Sequence, residues 1–169
     1  MENIKVTVPV KMCEIKVIEN NGGALPSVLK TTLGSCVGVI LSDEKKGIHG
    51  LAHIMLPERI KKDNAVGKYA DTAIPAILEK MERKGSRKIH IRAYLTGGAC
   101  MFASSGDNDG ISSIGNRNIS AARNILESMK IPIVFDETGG NSGRTIIFDG
   151  EIGKVTVNTL NKFKRSGNN

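Results

Sequence analysis

Cys36 and His53 are the two side chains of this 169-residue chain whose types and settings best suit them to do chemistry together. Cys36 lies between Gly34 and Gly38 at the start of an apolar run, and His53 lies in the next apolar run. A thiol deprotonated by an imidazole is a strong nucleophile, so the pair predicts covalent catalysis. Cysteine is also among the most buried residue types, and a strand thiol often fills the core. The pair alone leaves both interpretations open.

The segments around the pair predict a β-hairpin. Residues 36–42 and 47–56 are apolar runs, and the charged residues 43–46 separate them. Two such runs joined by a short polar turn are typical of an antiparallel hairpin. This hairpin would place Cys36 opposite His53 on neighbouring strands.

The rest of the chain mixes strand and helix patterns in an irregular order. Apolar residues at helical spacing predict helices from Tyr69 to Lys84 and from Asn116 to Lys130. Further strands are predicted at residues 4–9, 13–19, 88–96, 131–136, 144–149 and 153–158. Because strands outnumber helices without strict alternation, we expect one layered α+β domain over residues 1–160. Residues 161–169 are predicted to form a basic, disordered tail.

A glycine-dense turn near the end of the chain offers candidate substrate contacts. Residues 139–144 read Gly-Gly-Asn-Ser-Gly-Arg, and a second glycine pair stands at residues 97 and 98. Such turns allow a ligand to approach the backbone closely. Each turn alone is more typical of a purely structural turn, but the two together could wall an active-site mouth, where Asn141, Ser142 and Arg144 could hydrogen-bond a substrate.

Two neighbouring segments have simpler interpretations. Met101 and Phe102 stand beside a polar loop, and they predict either core packing or an exposed apolar patch for a partner. The loop at residues 104–110 lacks both the Gly-Lys-Ser/Thr ending of a phosphate-binding loop and the glutamate of a calcium loop. It is therefore predicted to be a simple connection.

The charge balance limits the class of partner. The chain has 24 Lys and Arg against 17 Asp and Glu, which gives a net charge of +7. This charge favours acidic partners. The chain has no Trp and only 4% aromatic residues, and its basic residues are dispersed, so nothing indicates a nucleic-acid-binding surface. An acidic protein surface is the predicted partner.

The cysteines and histidines predict neither a disulfide nor a metal site. Cys13, Cys36 and Cys100 are widely spaced and form no zinc-binding pair. A zinc site of Cys36, His53 and either Cys100 or His49 would have acceptable ligand types, but the spacing does not favour it. No apolar leader or long apolar run is visible, so we expect a cytoplasmic protein without metal or cofactor.

Six short motifs occur in order between Val10 and Thr159. They are Leu33–Val37, Ala52–Pro57, Lys68–Asp71, Gly97–Ala99 with Met101–Phe102, Ile114–Asn118 and Gly139–Thr145. Together these motifs closely resemble the CheD family, the chemoreceptor glutamine deamidases of bacterial chemotaxis. The resemblance spans essentially the whole domain, so it is far more specific than any one of its motifs.

The resemblance implies a fold, a reaction and a set of residues. The fold would be a layered β-sandwich with helices packed on one face, a cysteine-hydrolase fold related to deamidating cytotoxic necrotizing factor toxins. Cys36 and His53 match the family's nucleophile and base, and Thr31 matches its third member, with Thr32 not excluded. Backbone N–H groups around Gly34, Ser35 and Cys36 would bind the oxyanion. The reaction needs no cofactor.

The resemblance also implies partners. The substrates would be glutamine side chains on the cytoplasmic helices of methyl-accepting chemotaxis receptors, so the protein would meet the membrane only through them. Family members also dock on CheC, a phosphatase of phosphorylated CheY. Regulation of such a phosphatase, or hydrolysis of receptor glutamyl methyl esters, is therefore an alternative role. We expect the free protein to be a monomer.

Overall fold

The computed structural model describes residues 4–20, 25, 27–101 and 113–160. Within this part of the chain there are nine strands and two α-helices. The strands are β1 (Val6–Pro9), β2 (Ile15–Glu19), β3 (Ser27–Leu33), β4 (Val37–Asp43), β5 (Ile48–Ile54), β6 (Arg92–Gly97), β7 (Ile133–Thr138), β8 (Arg144–Asp149) and β9 (Lys154–Thr159). The helices are α1 (Ala70–Arg83) and α2 (Ile114–Ser128).

The strands form two sheets. One has four strands in the order β1-β3-β8-β9, and the other has five in the order β2-β5-β4-β6-β7. The β4 and β5 hairpin is central to the second sheet, and every residue of both strands is buried. The turn between them is completed by Gly47, whose φ of 65° suits glycine. The predicted hairpin is therefore confirmed.

Both helices bury one apolar face. In α1 the charged residues and Pro75 are exposed, while the apolar residues at helical spacing are all buried, namely Ala70, Ala73, Ile74, Ile77, Leu78 and Met81. The helix ends before Gly85, which has a φ of 106°. In α2 the buried residues include Ile119, Ala122 and Leu126. Both helices pack on the five-stranded sheet.

The two faces of the five-stranded sheet serve different layers. Alternate residues of β4 and β5, such as Val39 and Ala52, pack against the helices. The residues between them, such as Ile40 and Leu51, pack against Leu29 and Phe148 of the four-stranded sheet. The molecule is therefore a helix layer on two stacked sheets. This arrangement confirms the predicted α+β sandwich with helices on one face.

Some predicted boundaries were wrong for local reasons. Cys13 lies in a turn with a φ of 65°, so the second strand begins only at Ile15. Residues 88–90 form a 3₁₀ turn before β6. Helix α2 begins at Ile114 instead of Asn116, because the Ser113 hydroxyl caps it by accepting from the Asn116 N–H at 3.2 Å. The predicted tail lies outside the described residues.

Candidate active site

Thr31 and His53 come from different sheets and meet in the layer between them. Thr31 Oγ1 lies 2.8 Å from His53 Nδ1 and 2.6 Å from the carbonyl oxygen of Val10. Both side chains are 5% exposed. The strand β5 end that carries His53 is also tied to the turn before β2, since the Cys13 N–H donates to the His53 carbonyl at 2.9 Å. Thr31 therefore holds the imidazole, while the turn before β2 holds the backbone of the same residue.

The hydrogen bonds of Thr31 determine which nitrogen of His53 carries a proton. A hydroxyl has one proton to donate, and the Val10 carbonyl can only accept it. The Thr31 oxygen must then accept from His53, so Nδ1 carries the hydrogen. In the neutral ring Nε2 is consequently the unprotonated nitrogen, which is the tautomer that a general base requires.

Cys36 faces the same layer as His53. It stands one residue before β4, and it packs in the core between the sheets with Leu33 and Ile40. The predicted register was wrong by two residues, because Gly38 and not Cys36 lies opposite His53. Residues displaced by two on one strand share a face, so Cys36 and His53 are diagonal neighbours. The structure shows no direct hydrogen bond between these two described side chains.

Burial keeps both groups neutral. The pKa of the Cys36 thiol is raised above its ordinary 9.0, chiefly by burial and also by the nearby Cys13 thiol, while its own backbone N–H opposes the shift. The pKa of His53 is lowered below its ordinary 6.5 by burial, which the Val10 carbonyl partly opposes. At neutral pH the proton therefore remains on sulfur, and the imidazole is free to accept it.

The loop from Gly34 to Cys36 is held by its carbonyl groups. The Gly34 carbonyl accepts from the Ala99 N–H at 3.0 Å, and the Cys36 carbonyl accepts from the Gly98 N–H at 2.8 Å. Between them, the Ser35 carbonyl accepts from Asn118 Nδ2 at 3.1 Å. Among the described residues, neither the Ser35 N–H nor the Cys36 N–H donates a hydrogen bond to another residue. They are available to an anionic oxygen beside the thiol.

The strand β6 end supports this loop at close range. Gly97 has a φ of 94°, and a Cβ there would lie 2.4 Å from the Cys36 carbonyl oxygen. Met101 covers the other side, because a Cβ on Gly34 would lie 2.7 Å from Met101 Sδ. A small pocket of about 150 Å³ beside Ser35 is lined by Ala99, Cys100, Met101, Ser113, Ile114 and Gly115. At Gly97 the positive φ and the close backbone oxygen therefore require a glycine, whereas at Gly34 a side chain would displace only the flexible end of Met101.

Comparison with known proteins shows what this chain is similar to. The family described as CheD chemotactic sensory transduction matches residues 55–159. A relative from Clostridium novyi (strain NT) is 47% identical over 141 residues, which cover 81% of this chain and 86% of the relative. One from Clostridium botulinum (strain Hall) is 42% identical over 154 residues, covering 89% of this chain and 94% of the relative. Both are named "Probable chemoreceptor glutamine deamidase CheD".

The chain belongs to the CheD family. The resemblance identified from the six motifs is therefore confirmed.

Not all residues predicted for the CheD site lie together. Thr32 is exposed and its hydroxyl lies 2.9 Å from Thr145 Oγ1, on the face of β3 away from His53. Arg144 is buried, and its guanidinium donates to the carbonyls of Glu137, Gly139 and Ser142. Through these contacts Arg144 holds the backbone of its own turn in place. The substrate role predicted for it would need some of these contacts to break.

The neighbouring turn reaches the site through the backbone. The Cys100 N–H donates to the Gly140 carbonyl at 2.9 Å, and the Gly139 N–H donates to the Gly97 carbonyl at 2.8 Å. Asn141 is exposed beside this turn, and the Ser142 hydroxyl donates to its side-chain oxygen at 3.3 Å. Their predicted contact with substrate stays a prediction.

The remaining site predictions concern partners and metals. Met101 is 42% exposed at the edge of the cysteine loop, whereas Phe102 lies outside the described residues. No group of His, Cys, Asp or Glu in the described ranges is arranged to hold a metal ion. Over the same ranges, no helix has both the length and the apolar character needed to cross a membrane.

Two residues at the site escaped sequence reasoning. Val10 contributes only a carbonyl group, so its side chain carries no signal. Asn118 is fully buried and donates to Ser35 and, at 3.0 Å, to the carbonyl of Met55. A signal did exist for Asn118, because it falls among the buried positions Gly115, Ile119 and Ala122 of α2. A polar residue on a buried helix face needs partners.

Proposed function

We propose that this chain deamidates glutamine side chains of chemoreceptors, with Cys36 as the nucleophile and His53 as the general base. The observation that carries this proposal is the hydrogen-bond chain from Val10 through Thr31 to His53 Nδ1. It leaves Nε2 as the proton acceptor on the face that also bears the thiol. The names of the relatives supply the reaction, and the side chains supply a means to perform it.

The first half of the reaction forms a thioester. As Cys36 Sγ attacks the carboxamide carbon, His53 Nε2 takes the thiol proton, so no free thiolate is required beforehand. The carbonyl oxygen becomes an oxyanion, and the free N–H groups of Ser35 and Cys36 stabilise it. The imidazolium then gives its proton to the amide nitrogen, and ammonia leaves.

The second half restores the enzyme. His53 takes a proton from water, the resulting hydroxide attacks the thioester carbon, and sulfur leaves as the thiol when the imidazolium returns the proton. The product is a glutamate side chain. Thr31 keeps its bond to His53 Nδ1 through both halves, since Nδ1 carries a hydrogen in the neutral and the charged ring alike.

The substrate is a receptor helix rather than a free amide. Glutamine occurs on almost every protein surface, so selection must come from a fit to the surrounding helix. The net charge of +7 suits an acidic receptor segment in the cytoplasm, and binding should weaken with added salt. On this proposal the chain acts as a monomer without a cofactor.

Partner binding is a second role that the family resemblance implies. Exposed Met101 beside the cysteine loop would place a docked CheC-type phosphatase at the mouth of the site. Such a partner would compete with the receptor. Hydrolysis of glutamyl methyl esters would use the same thiol and differ only in its leaving group.

The proposal is tested by mass spectrometry of a chemoreceptor cytoplasmic fragment co-expressed with the protein. The native chain should convert particular glutamines to glutamates, and Cys36→Ala should abolish the conversion. Cys100→Ala is the matched control, because it also removes a free and partly exposed thiol, but one that the proposal does not pair with a histidine. Conversion by a folded Cys36→Ala variant, or none by the native protein, would contradict the proposal.

A further inference from the structure

Asn118 is held in one orientation inside the protein. It is fully buried on α2, and its Nδ2 donates to the carbonyls of both Ser35 and Met55. Carbonyl oxygens only accept, so the amide cannot be reversed without losing both bonds. Its Oδ1 has no hydrogen-bond partner within the described residues. A buried acceptor without a partner is destabilising, so packing alone does not account for this residue.

The two carbonyls belong to the segments that carry the reacting groups. Ser35 directly precedes Cys36, and Met55 follows His53 by two residues. One side chain of α2 therefore ties the cysteine loop to the end of β5. This contact fixes the separation between the thiol and the imidazole from the helix side.

The bond to Ser35 also sets the direction of the next N–H group. In a planar trans peptide the carbonyl and the following N–H point in opposite directions. Because the Ser35 carbonyl points at Asn118, the Cys36 N–H points away from α2. The side chain of Cys36 likewise lies in the layer between the sheets, on the side of the five-stranded sheet away from the helices, and its own N–H opposes the rise in the thiol pKa that burial causes. The oxyanion of the reaction forms on the carbon bonded to this sulfur.

We propose that Asn118 is a positioning residue for the oxyanion site: it holds the Ser35 carbonyl so that the Cys36 N–H is presented beside the thiol. This inference rests on the proposed function, because an oxyanion arises only if Cys36 attacks a carbonyl group. Asn118 itself does not touch the substrate. Its effect is transmitted through the peptide group between Ser35 and Cys36.

The test compares two reactions of the Cys36 thiol in the full chain. A capped peptide whose glutamine carboxamide is replaced by an aldehyde forms a reversible adduct. In this reaction Cys36 Sγ bonds to the aldehyde carbon. The aldehyde oxygen develops a negative charge and receives the thiol proton. Iodoacetamide also forms a bond to sulfur, but iodide leaves and no oxyanion develops. Only the first reaction should depend on the Cys36 N–H.

The variants are Asn118→Ala, Asn118→Ser and the exposed control Asn124→Ala on the same helix. Loss of one oxyanion donor costs about 100- to 1,000-fold in kcat, so loss of its positioning should cost about tenfold or more. We expect Asn118→Ala to lose this factor in aldehyde affinity and in deamidation kcat, with KM and the alkylation rate near native. Asn118→Ser should lie between, since a hydroxyl can donate to only one carbonyl.

Two results would overturn the inference. One is equal loss of aldehyde binding and alkylation, which would indicate general damage to the loop. The other is native aldehyde affinity in a folded Asn118 variant; if Asn118→Ala fails to fold, Asn118→Ser decides. A native protein that binds the aldehyde but deamidates no receptor fragment would instead contradict the proposed function, while the aldehyde comparison still tests Asn118.

Discussion

His53 and His49 occupy the two ends of β5, yet only one of them is placed to act as a base. Both point into the layer between the sheets, and each has Nδ1 2.8 Å from a hydroxyl oxygen, from Thr31 and Ser42 respectively. Both are buried, and burial lowers the pKa of each below its ordinary value. Burial and a hydroxyl partner therefore do not by themselves make a catalytic histidine.

The two histidines differ in what else their hydroxyl partners bind. Thr31 also donates to the Val10 carbonyl, which fixes the hydrogen of His53 on Nδ1. In the described part of the chain Ser42 makes no second hydrogen bond, so it can donate to His49 or accept from it. His49 packs on Phe148, with ring centroids 5.2 Å apart, and its Nε2 is buried without a hydrogen bond. A fixed tautomer and a neighbouring thiol distinguish the His53 end.

The most direct test of the difference between His53 and His49 is to replace each of them by glutamine. General acid–base catalysis contributes about 100- to 10,000-fold, so His53→Gln should lower the deamidation kcat/KM by this order. His49→Gln should leave kcat/KM close to native, because its ring reaches no reacting group. The measurement is the rate of glutamate formation in a receptor fragment. Comparable losses in both variants, with both folded, would show that the distinction drawn between the two ends is mistaken.

The hydroxyl partner gives the next largest effect. Thr31→Val keeps the shape of the side chain but removes the oxygen that accepts from His53 Nδ1. For histidines that bind metals, loss of the partner that orients the imidazole costs about 10- to 100-fold in activity, and we expect a loss of the same order in kcat here. Thr32→Val is the matched control, since its hydroxyl contacts only Thr145 and should not affect the rate. A larger loss of kcat from Thr32→Val than from Thr31→Val would show that the role was assigned to the wrong threonine.

The choice between these threonines was within reach of the sequence. Leu29, Thr31 and Leu33 alternate along β3, and all three are buried, while Lys30 and Thr32 are exposed. A period of two places Thr31 on the apolar face of the strand. The hairpin and the apolar face of α1 were predicted in the same way, because local periodicity reports directly which side of an element is buried.

Contacts between distant segments were beyond such patterns. Asn118 binds carbonyls 83 and 63 residues away along the chain, and a backbone carbonyl has no sequence signature. The exact strand register was lost for a similar reason, since apolar runs on both strands fit several pairings. Arg144 was predicted as a possible hydrogen-bond donor to a substrate, and no pattern in the sequence indicated that its guanidinium donates to the carbonyls of Glu137, Gly139 and Ser142.

The smallest predicted effect concerns how the free energy of unfolding and the catalytic rate each depend on pH. A buried histidine with a lowered pKa stays neutral in the folded protein, whereas the unfolded chain binds its proton as the pH falls below about 6.5. The unfolded state then holds more protons, so the free energy of unfolding decreases as the pH falls. Each such histidine contributes a loss of up to about 1.4 kcal/mol between pH 7.5 and pH 5.5.

His49→Gln should therefore reduce the acid dependence of stability without changing the acid dependence of the rate. Denaturant unfolding at the two pH values measures the first quantity, and kcat/KM across the same interval measures the second. The rate should fall only below the ordinary pKa of 6.5, because the folded-state pKa of His53 is lowered and a proton on Nε2 prevents it from acting as a base. A shift of the rate profile in His49→Gln would mean that the two ends of β5 are coupled.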